Sequence, residues 1–265
     1  MRFESIASGS SGNCIYIGSD SAHILVDAGV SRRRTAQALE ESGIALKELD
    51  AIFITHEHSD HIAGLPVIAG STDAPIYATQ GTIERLRAMP QMARIDPDRY
   101  EVVRADEKVR LKDLKIEPMR ISHDAADPVA YRVMCGGQKA CVCTDLGCYD
   151  DYTAECLKGS DVLLLEANHD VNMLQTGRYP YPLKQRILGR RGHLSNMSSG
   201  QLLARVLNDH MKAIFLGHLS KENNLPELAY ETVRVELLSL QDMYRPDELP
   251  IRVAQRDHNS QLLEW

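Results

Sequence analysis

The chain lacks most of what marks an exported, membrane or fibrous protein. No apolar run approaches the roughly 20 residues that a membrane-spanning helix needs, and Met1-Arg2-Phe3-Glu4 carries charge where a secretory leader keeps an apolar core. Six cysteines in 265 residues (Cys14, Cys135, Cys141, Cys143, Cys148 and Cys156) are too scattered for a disulfide framework and are expected to be reduced thiols. Cys141-x-Cys143 falls in the apolar run Ala140 to Thr144, so it is assigned to a buried strand rather than to a zinc knot. Positive charge is short as well: 30 Lys and Arg stand against 37 Asp and Glu, a formal net charge of -7. Nucleic-acid binding by whole-molecule electrostatics is thereby excluded, and only local basic patches can serve it. There is no internal repeat, low-complexity tract or Pro/Ser-rich linker. These absences leave a cytoplasmic globular protein without membrane association, expected to form one domain over residues 1–265.

What is present is concentrated in His56-Glu57-His58-Ser59-Asp60-His61. The apolar run Ala51 to Thr55 before it has the pattern of a buried strand, and Ile62 to Ala69 after it has a helical pattern. His56 and His58, two apart on an extended segment, point the same way and can share an ion. Asp60 and His61 follow after the chain has turned. A mixed imidazole and carboxylate cluster of this size points to two divalent ions, with the remaining ligands supplied from elsewhere in the chain.

Strands are also predicted over Cys14 to Ile17, His23 to Asp27, Ile76 to Ala78, Leu114 to Ile121, Val129 to Cys135, Asp161 to Glu166, Ala213 to Gly217 and Ile251 to Ala254. Helices are predicted over Arg32 to Glu41, Thr82 to Arg87 and Glu227 to Leu238, with a capping box at Ser198-Ser199-Gly200-Gln201. Two strand-rich halves with helices outside imply an α/β fold, a four-layer αββα sandwich. Ser8 to Asn13 is a Gly/Ser-rich turn between the first two strands, able to line a cleft but lacking the ending of a nucleotide-binding loop.

Further candidate ligands recur at the ends of predicted strands: Asp27, His123, Asp145 and His218. Loops held by a rigid sheet are where sites are assembled. In this order, Asp27, His56-x-His58-x-Asp60-His61, His123, Asp145 and His218 resemble the motif series of the metallo-β-lactamase-fold hydrolases over nearly the whole chain. The resemblance implies that His56, His58 and His123 hold one ion and that Asp60, His61 and His218 hold the other. Asp145 would bridge them, and Asp27 would orient the ligands.

Within that superfamily the chain is similar to the YycJ/WalJ group. The similarity is carried by Ala7-Ser8-Gly9-Ser10-Ser11-Gly12-Asn13-Cys14, His123-Asp124-Ala125-Ala126-Asp127-Pro128, Glu166-Ala167-Asn168-His169-Asp170, Gly192-His193-Leu194-Ser195-Asn196 and Gly217-His218-Leu219-Ser220-x-x-Asn223-Asn224. It implies a metal-dependent phosphodiesterase like the DNA exonucleases that act from the 5′ end, working by a metal-bridging hydroxide.

Glu166 and His193 are also similar to a paired Glu and His of ribonuclease Z, which implies that His193 acts at the scissile phosphate with Glu166 behind it. The stretch from Asp145 to His193 is too short for the extra domain of the larger β-CASP nucleases, and no tRNA-grasping arm is evident. Asp60 and Asp145 are expected to hold the ions and accept the water proton, and Arg186, Arg190 and Arg191 to contact substrate phosphate. Arg32-Arg33-Arg34 is a second basic cluster, assigned to a solvated face. His169 has no ligand position to fill and is assigned to a satisfied core or supporting role.

The ions are expected to be zinc or manganese, with iron possible, and the substrate to be nucleic acid, with DNA favoured. A small phosphodiester, a cyclic phosphonate or an ester is the alternative substrate, and a non-catalytic regulatory protein is a further alternative.

Overall fold

The computed structural model describes residues 1–240 and 243–265, and the chain divides into two compact units. The first comprises Met1–Arg120, Ala125–Gln138 and Gln255–Trp265, and the second comprises Ile121–Asp124 and Lys139–Ala254. No described helix is long and apolar enough to cross a membrane. All six cysteines are free thiols, and burial pushes the Cys14 thiol up to about 12.

The chain opens with β1 (Arg2–Ala7), β2 (Cys14–Gly18) and β3 (His23–Val26), then α1 (Arg32–Glu41) and β4 (Ala51–Phe53). Short helices α2 (Ser59–Ile62) and α3 (Leu65–Ala69) lead to β5 (Ile76–Thr79), α4 (Gln80–Arg87) and β6 (Tyr100–Val103). Next come β7 (Val109–Leu111), β8 (Leu114–Arg120) and β9 (Val129–Cys135), which pair antiparallel in sequence. The alternation of strand and helix then resumes through β10 (Gln138–Cys143), α5 (Asp151–Leu157), β11 (Val162–Glu166), α6 (Val171–Thr176), α7 (Tyr181–Leu188) and α8 (Asn196–Val206). It ends with β12 (Ala213–Gly217), α9 (Pro226–Leu237), β13 (Ile251–Val253) and β14 (Leu263–Glu264).

In the first unit β14 pairs with β1, and β1, β2 and β3 run antiparallel to one another. From β3 onward the pairing is parallel through β4, β5 and β6, because helical crossovers return the chain to the same edge. Leu25, Ile52, Ile76 and Ala78 share one core with Leu39, Ile62, Ile68 and Leu86 from the helices. In the second unit β10, β11, β12 and β13 are parallel throughout. Every residue of β11 and β12 is buried, which is why both sequences are near-continuous apolar runs. Parallel strands end at one edge, so in each unit the residues that follow them are gathered there, as open α/β sheets gather their ligand sites.

Several elements differ from the sequence expectation. The helix expected over Ile62 to Ala69 is broken into α2 and α3 at Gly64, whose amide bonds to the Ala28 carbonyl at 2.8 Å, while Pro66 begins a new first turn. Helix α8 is capped by Ser195, which accepts from the Ser198 amide, so the capping box at Ser198 is displaced by one turn. β6, β7, β14, α5, α6 and α7 were not foreseen. They are short, and their apolar residues follow neither period over enough positions to stand out.

One close approach is obligatory. Asn13 N–H donates to the Asp60 carbonyl and Gly29 N–H to the Asn13 carbonyl, both at 2.7 Å. A Cβ on Gly29 would lie 1.8 Å from the Asp60 oxygen. Gly29→Ala is therefore expected to destabilise the protein by about 2 kcal/mol or more, measured by urea denaturation. Gly70→Ala, whose Cβ meets nothing closer than 3.5 Å, is the control. Equal midpoints for the two variants would contradict this packing.

Candidate metal centre

In the first unit β3 and β4 lie side by side in the register Val26 to Phe53, so Asp27 and Thr55 emerge together. Asp27 is buried with φ of 64°, a left-handed conformation that costs a non-glycine residue about 1–2 kcal/mol. That turn aims its carboxylate back at the next strand. It accepts from Thr55 N–H at 2.8 Å, from the Thr55 hydroxyl at 2.9 Å and from His61 Nδ1 at 2.7 Å. An ionised carboxylate only accepts, so His61 carries its proton on Nδ1 and turns the Nε2 lone pair outward. There Asn13 Nδ2 lies at 3.2 Å and Asp60 Oδ2 at 3.5 Å.

The Thr55 hydroxyl spends its one proton on Asp27, so it accepts from His56 Nδ1 at 3.0 Å and fixes a second imidazole in the same tautomer. The rings of His56 and His58 are 4.6 Å apart, and those of His56 and His61 are 4.1 Å apart. The one-turn helix α2 brings Asp60 and His61 into this group.

In the second unit the anchor is Glu166, the last residue of β11 and wholly buried. Its Oε2 accepts from the amides of Leu146 at 2.7 Å and Leu194 at 3.0 Å. Its Oε1 accepts from Nδ1 of His193 at 2.8 Å and Nδ1 of His218 at 3.0 Å. Asp145 and His218, which follow β10 and β12, also adopt left-handed φ values of 60° and 56°. His218 Nε2 comes to 3.6 Å from Asp145 Oδ1, and His123 Nε2 to 3.5 Å from the same oxygen. His123 donates Nδ1–H to the Gly192 carbonyl at 3.0 Å. Donor atoms of Asp145, Glu166, His193 and His218 all lie within 4.8 Å of one another. With four N–H donors on its two oxygens, Glu166 is an anchor for the imidazoles rather than a ligand.

The titration of these groups follows from their surroundings. Burial alone would lower the His193 pKa, but the Glu166 carboxylate outweighs it and holds the imidazole above its ordinary value of 6.5. Glu166, which burial alone would raise, is in turn held well below the carboxylate range by His193 and by its hydrogen bonds. His123 is pushed down by burial, which Asp145 only partly offsets.

Each unit therefore presents imidazoles whose Nδ1 is tied to a carboxylate, hydroxyl or carbonyl and whose Nε2 is left as the donor. This is the arrangement metal-binding histidines require. The imidazole and carboxylate donor set fits a divalent transition ion.

The three arginines expected to contact phosphate differ in their engagement. Arg186 is engaged by both oxygens of Asp124, through Nε to Oδ2 and through Nη2 to Oδ1 at 3.0 Å. Arg191 Nε donates to the His123 carbonyl at 3.1 Å, and Arg190 is exposed. His169 is buried, yet its ring nitrogens have no hydrogen-bond partner among the described residues, so the expectation of a satisfied residue does not hold. Burial pushes its pKa down to about 4 and keeps it neutral.

Sequence reasoning missed the asparagines. Asn13 braces Asp60 and His61, and Asn168 Nδ2 donates to the His218 carbonyl at 2.9 Å. Asn224 Nδ2 donates to the carbonyls of Ala167 and Asn168, while the Asn196 and Asn224 side chains pair. Their signal was their place inside the quoted motifs.

Residues 22–216 match the family described as the beta-lactamase superfamily domain. The chain is 39% identical over 233 residues to exodeoxyribonuclease WalJ of Streptococcus pneumoniae serotype 2, covering 88% of this chain and 87% of that protein. It is 37% identical to exodeoxyribonuclease YycJ of Bacillus anthracis, covering 88% of each. Among solved structures, the metallo-beta-lactamase fold protein YhfI from Bacillus subtilis superposes with a TM-score of 0.70 at 14% identity over 98% of both chains. The α/β metallo-β-lactamase fold expected from the motifs is therefore the fold of this chain.

The Glu166 hub generates a measurable consequence. A folded pKa above 6.5 means that the His193 pairing stabilises the protein fully below 6.5 and that this contribution is lost as pH rises through the folded pKa. In metal-free Glu166→Gln, the His193 pKa followed by NMR falls below the wild-type value, and stability at pH 6 drops by about 3 kcal/mol or more. An unmoved His193 titration would refute the pairing.

Proposed function

Because the chain belongs to the beta-lactamase superfamily and, within it, to the group of WalJ and YycJ, we propose that it is a metal-dependent phosphodiesterase that removes nucleotides from DNA ends, acting from the 5′ end. The observation that carries this reading is the pair of relatives named exodeoxyribonucleases, similar over 88% of the chain. Support comes from two half-sites of anchored imidazoles, each built by its own carboxylate.

The residues that would hold the ions are His56, His58, Asp60, His61, His123, Asp145 and His218. Two zinc or manganese ions held by such donors would activate water and neutralise charge on the phosphoryl oxygens. Asp27 orients His61 directly, and His56 through Thr55. Asp60 is the proposed acceptor of the proton released by the attacking water. His193, whose pKa the Glu166 carboxylate raises, would donate from Nε2 to the leaving oxygen while its Nδ1–H stays on the carboxylate. Arg190 offers phosphate a guanidinium that no described residue engages, whereas Arg186 and Arg191 primarily brace the His123 loop. Action in the cytoplasm is part of this proposal.

His58→Ala tests the assignment, since His58 lies outside the buried anchors and its loss leaves the fold soluble. In protein reconstituted with manganese or zinc, release of labelled nucleotides from a 5′-labelled strand is expected to fall at least about 10²-fold, the scale of one lost transition-state contact. Undiminished cleavage by a variant that still binds metal would sink the proposal.

A further inference from the structure

In an acidic chain, one stretch carries no carboxylate at all. From Val171 to Asn208 there is no Asp or Glu, while Arg178, Lys184, Arg186, Arg190, Arg191 and Arg205 all fall within it. The centre of this stretch is α7, one of the helices not foreseen from sequence.

Helix α7 packs through Ile187, which is buried, and it leaves two large apolar side chains in water. Tyr181 is 72% exposed and Leu188 is 38% exposed. They stand seven residues apart with exposed Gln185 between them, so they share one face of the helix. An isolated exposed tyrosine needs no explanation. This one opens a helix flanked by Arg178 and Arg190, whose guanidinium groups make no hydrogen bond or ion pair among the described residues. Aromatic faces interleaved with uncommitted cations are what a single nucleic-acid strand binds, because every base has a face to stack and every link a phosphate to neutralise.

The helix is also rigidly joined to the proposed acid. His193 N–H donates to the Ile187 carbonyl at 3.0 Å and Gly192 N–H to the Gly189 carbonyl at 2.8 Å. A Cβ on Gly192 would come within 2.1 Å of the Ile187 oxygen and 2.3 Å of the Arg186 oxygen, so this turn closes only on glycine. Tyr181 lies six residues up the helix from Ile187, about 9 Å along its axis. At about 3.4 Å per stacked base, that rise corresponds to two or three nucleotides.

Resting on the nuclease reading above, we infer that the exposed face of α7 is a docking surface for single-stranded nucleic acid, with Tyr181 stacking on an unpaired base and Arg178 and Arg190 contacting the flanking phosphates. A frayed or single-stranded end is then the preferred form of substrate over a blunt duplex.

The test is binding, read by fluorescence anisotropy on a labelled phosphorothioate single strand and on a blunt phosphorothioate duplex, with metal-loaded protein. Tyr181→Ala is expected to raise the Kd for the strand about tenfold, the size of one lost stacked base, with little change for the duplex and an unaltered melting temperature. Tyr181→Trp is expected to restore the affinity. Equal affinity of Tyr181→Ala and wild type for the strand would overturn the inference, as would an equal loss on strand and duplex. Because the probe need not be cut, a lack of cleavage bears on the nuclease reading alone.

Discussion

A carboxylate removed from water has to collect N–H donors or lose its charge, and each unit of this protein is organised around one that does so. Asp27 gathers the Thr55 amide, the Thr55 hydroxyl and His61, while Glu166 gathers two amides and two imidazoles. The consequence is chemical as well as structural. The imidazoles of His61 and His218, bound this way through Nδ1, have their tautomer chosen for them and present Nε2 as a base, whereas the same carboxylate raises the pKa of His193. The ligands are thus prepared by groups that need never touch an ion.

The parallel strands supply the positions, and local strain supplies the direction. Asp27, Asp145 and His218 each follow a strand by one or two residues and each adopts a left-handed φ. One such residue costs on the order of 1–3 kcal/mol, so three of them persist only because the buried runs on either side hold them. The apolar strands β3, β4, β10, β11 and β12 provide that hold, with their residues almost entirely buried. Gly29 and Gly192 do related work by letting backbone pass where a side chain would collide.

Much of this was legible in the sequence because it is local. The run Ala51 to Thr55 announced its strand by composition, and the histidines after it announced their chemistry by spacing. Strands Val129 to Cys135 and Ala213 to Gly217 and helix Arg32 to Glu41 fall where the pattern placed them. What was illegible depends on partners distant along the chain. Asn13 next to Asp60 and His61, and Asn224 beneath Asn168, are ordinary turn asparagines until the fold brings them in. The commitment of Arg186 to Asp124 spans 62 positions, and no local pattern signals it. His169 shows the opposite error: with no ligand position to fill it is assigned from sequence to a satisfied core or supporting role, and its ring nitrogens have no hydrogen-bond partner among the described residues.

Two carboxylate-anchored groups of imidazoles, one in each unit, are the proposed ligands for divalent ions. The most direct test is the metal stoichiometry of the intact protein, obtained by stripping it with chelator, titrating with zinc or manganese in a calorimeter and confirming bound metal by elemental analysis. Two ions per chain are predicted, with Asp27→Asn weakening binding by about 10- to 100-fold through the loss of its hold on His61. Retention of no ion, or of a single ion with an affinity indifferent to Asp27→Asn, would contradict it.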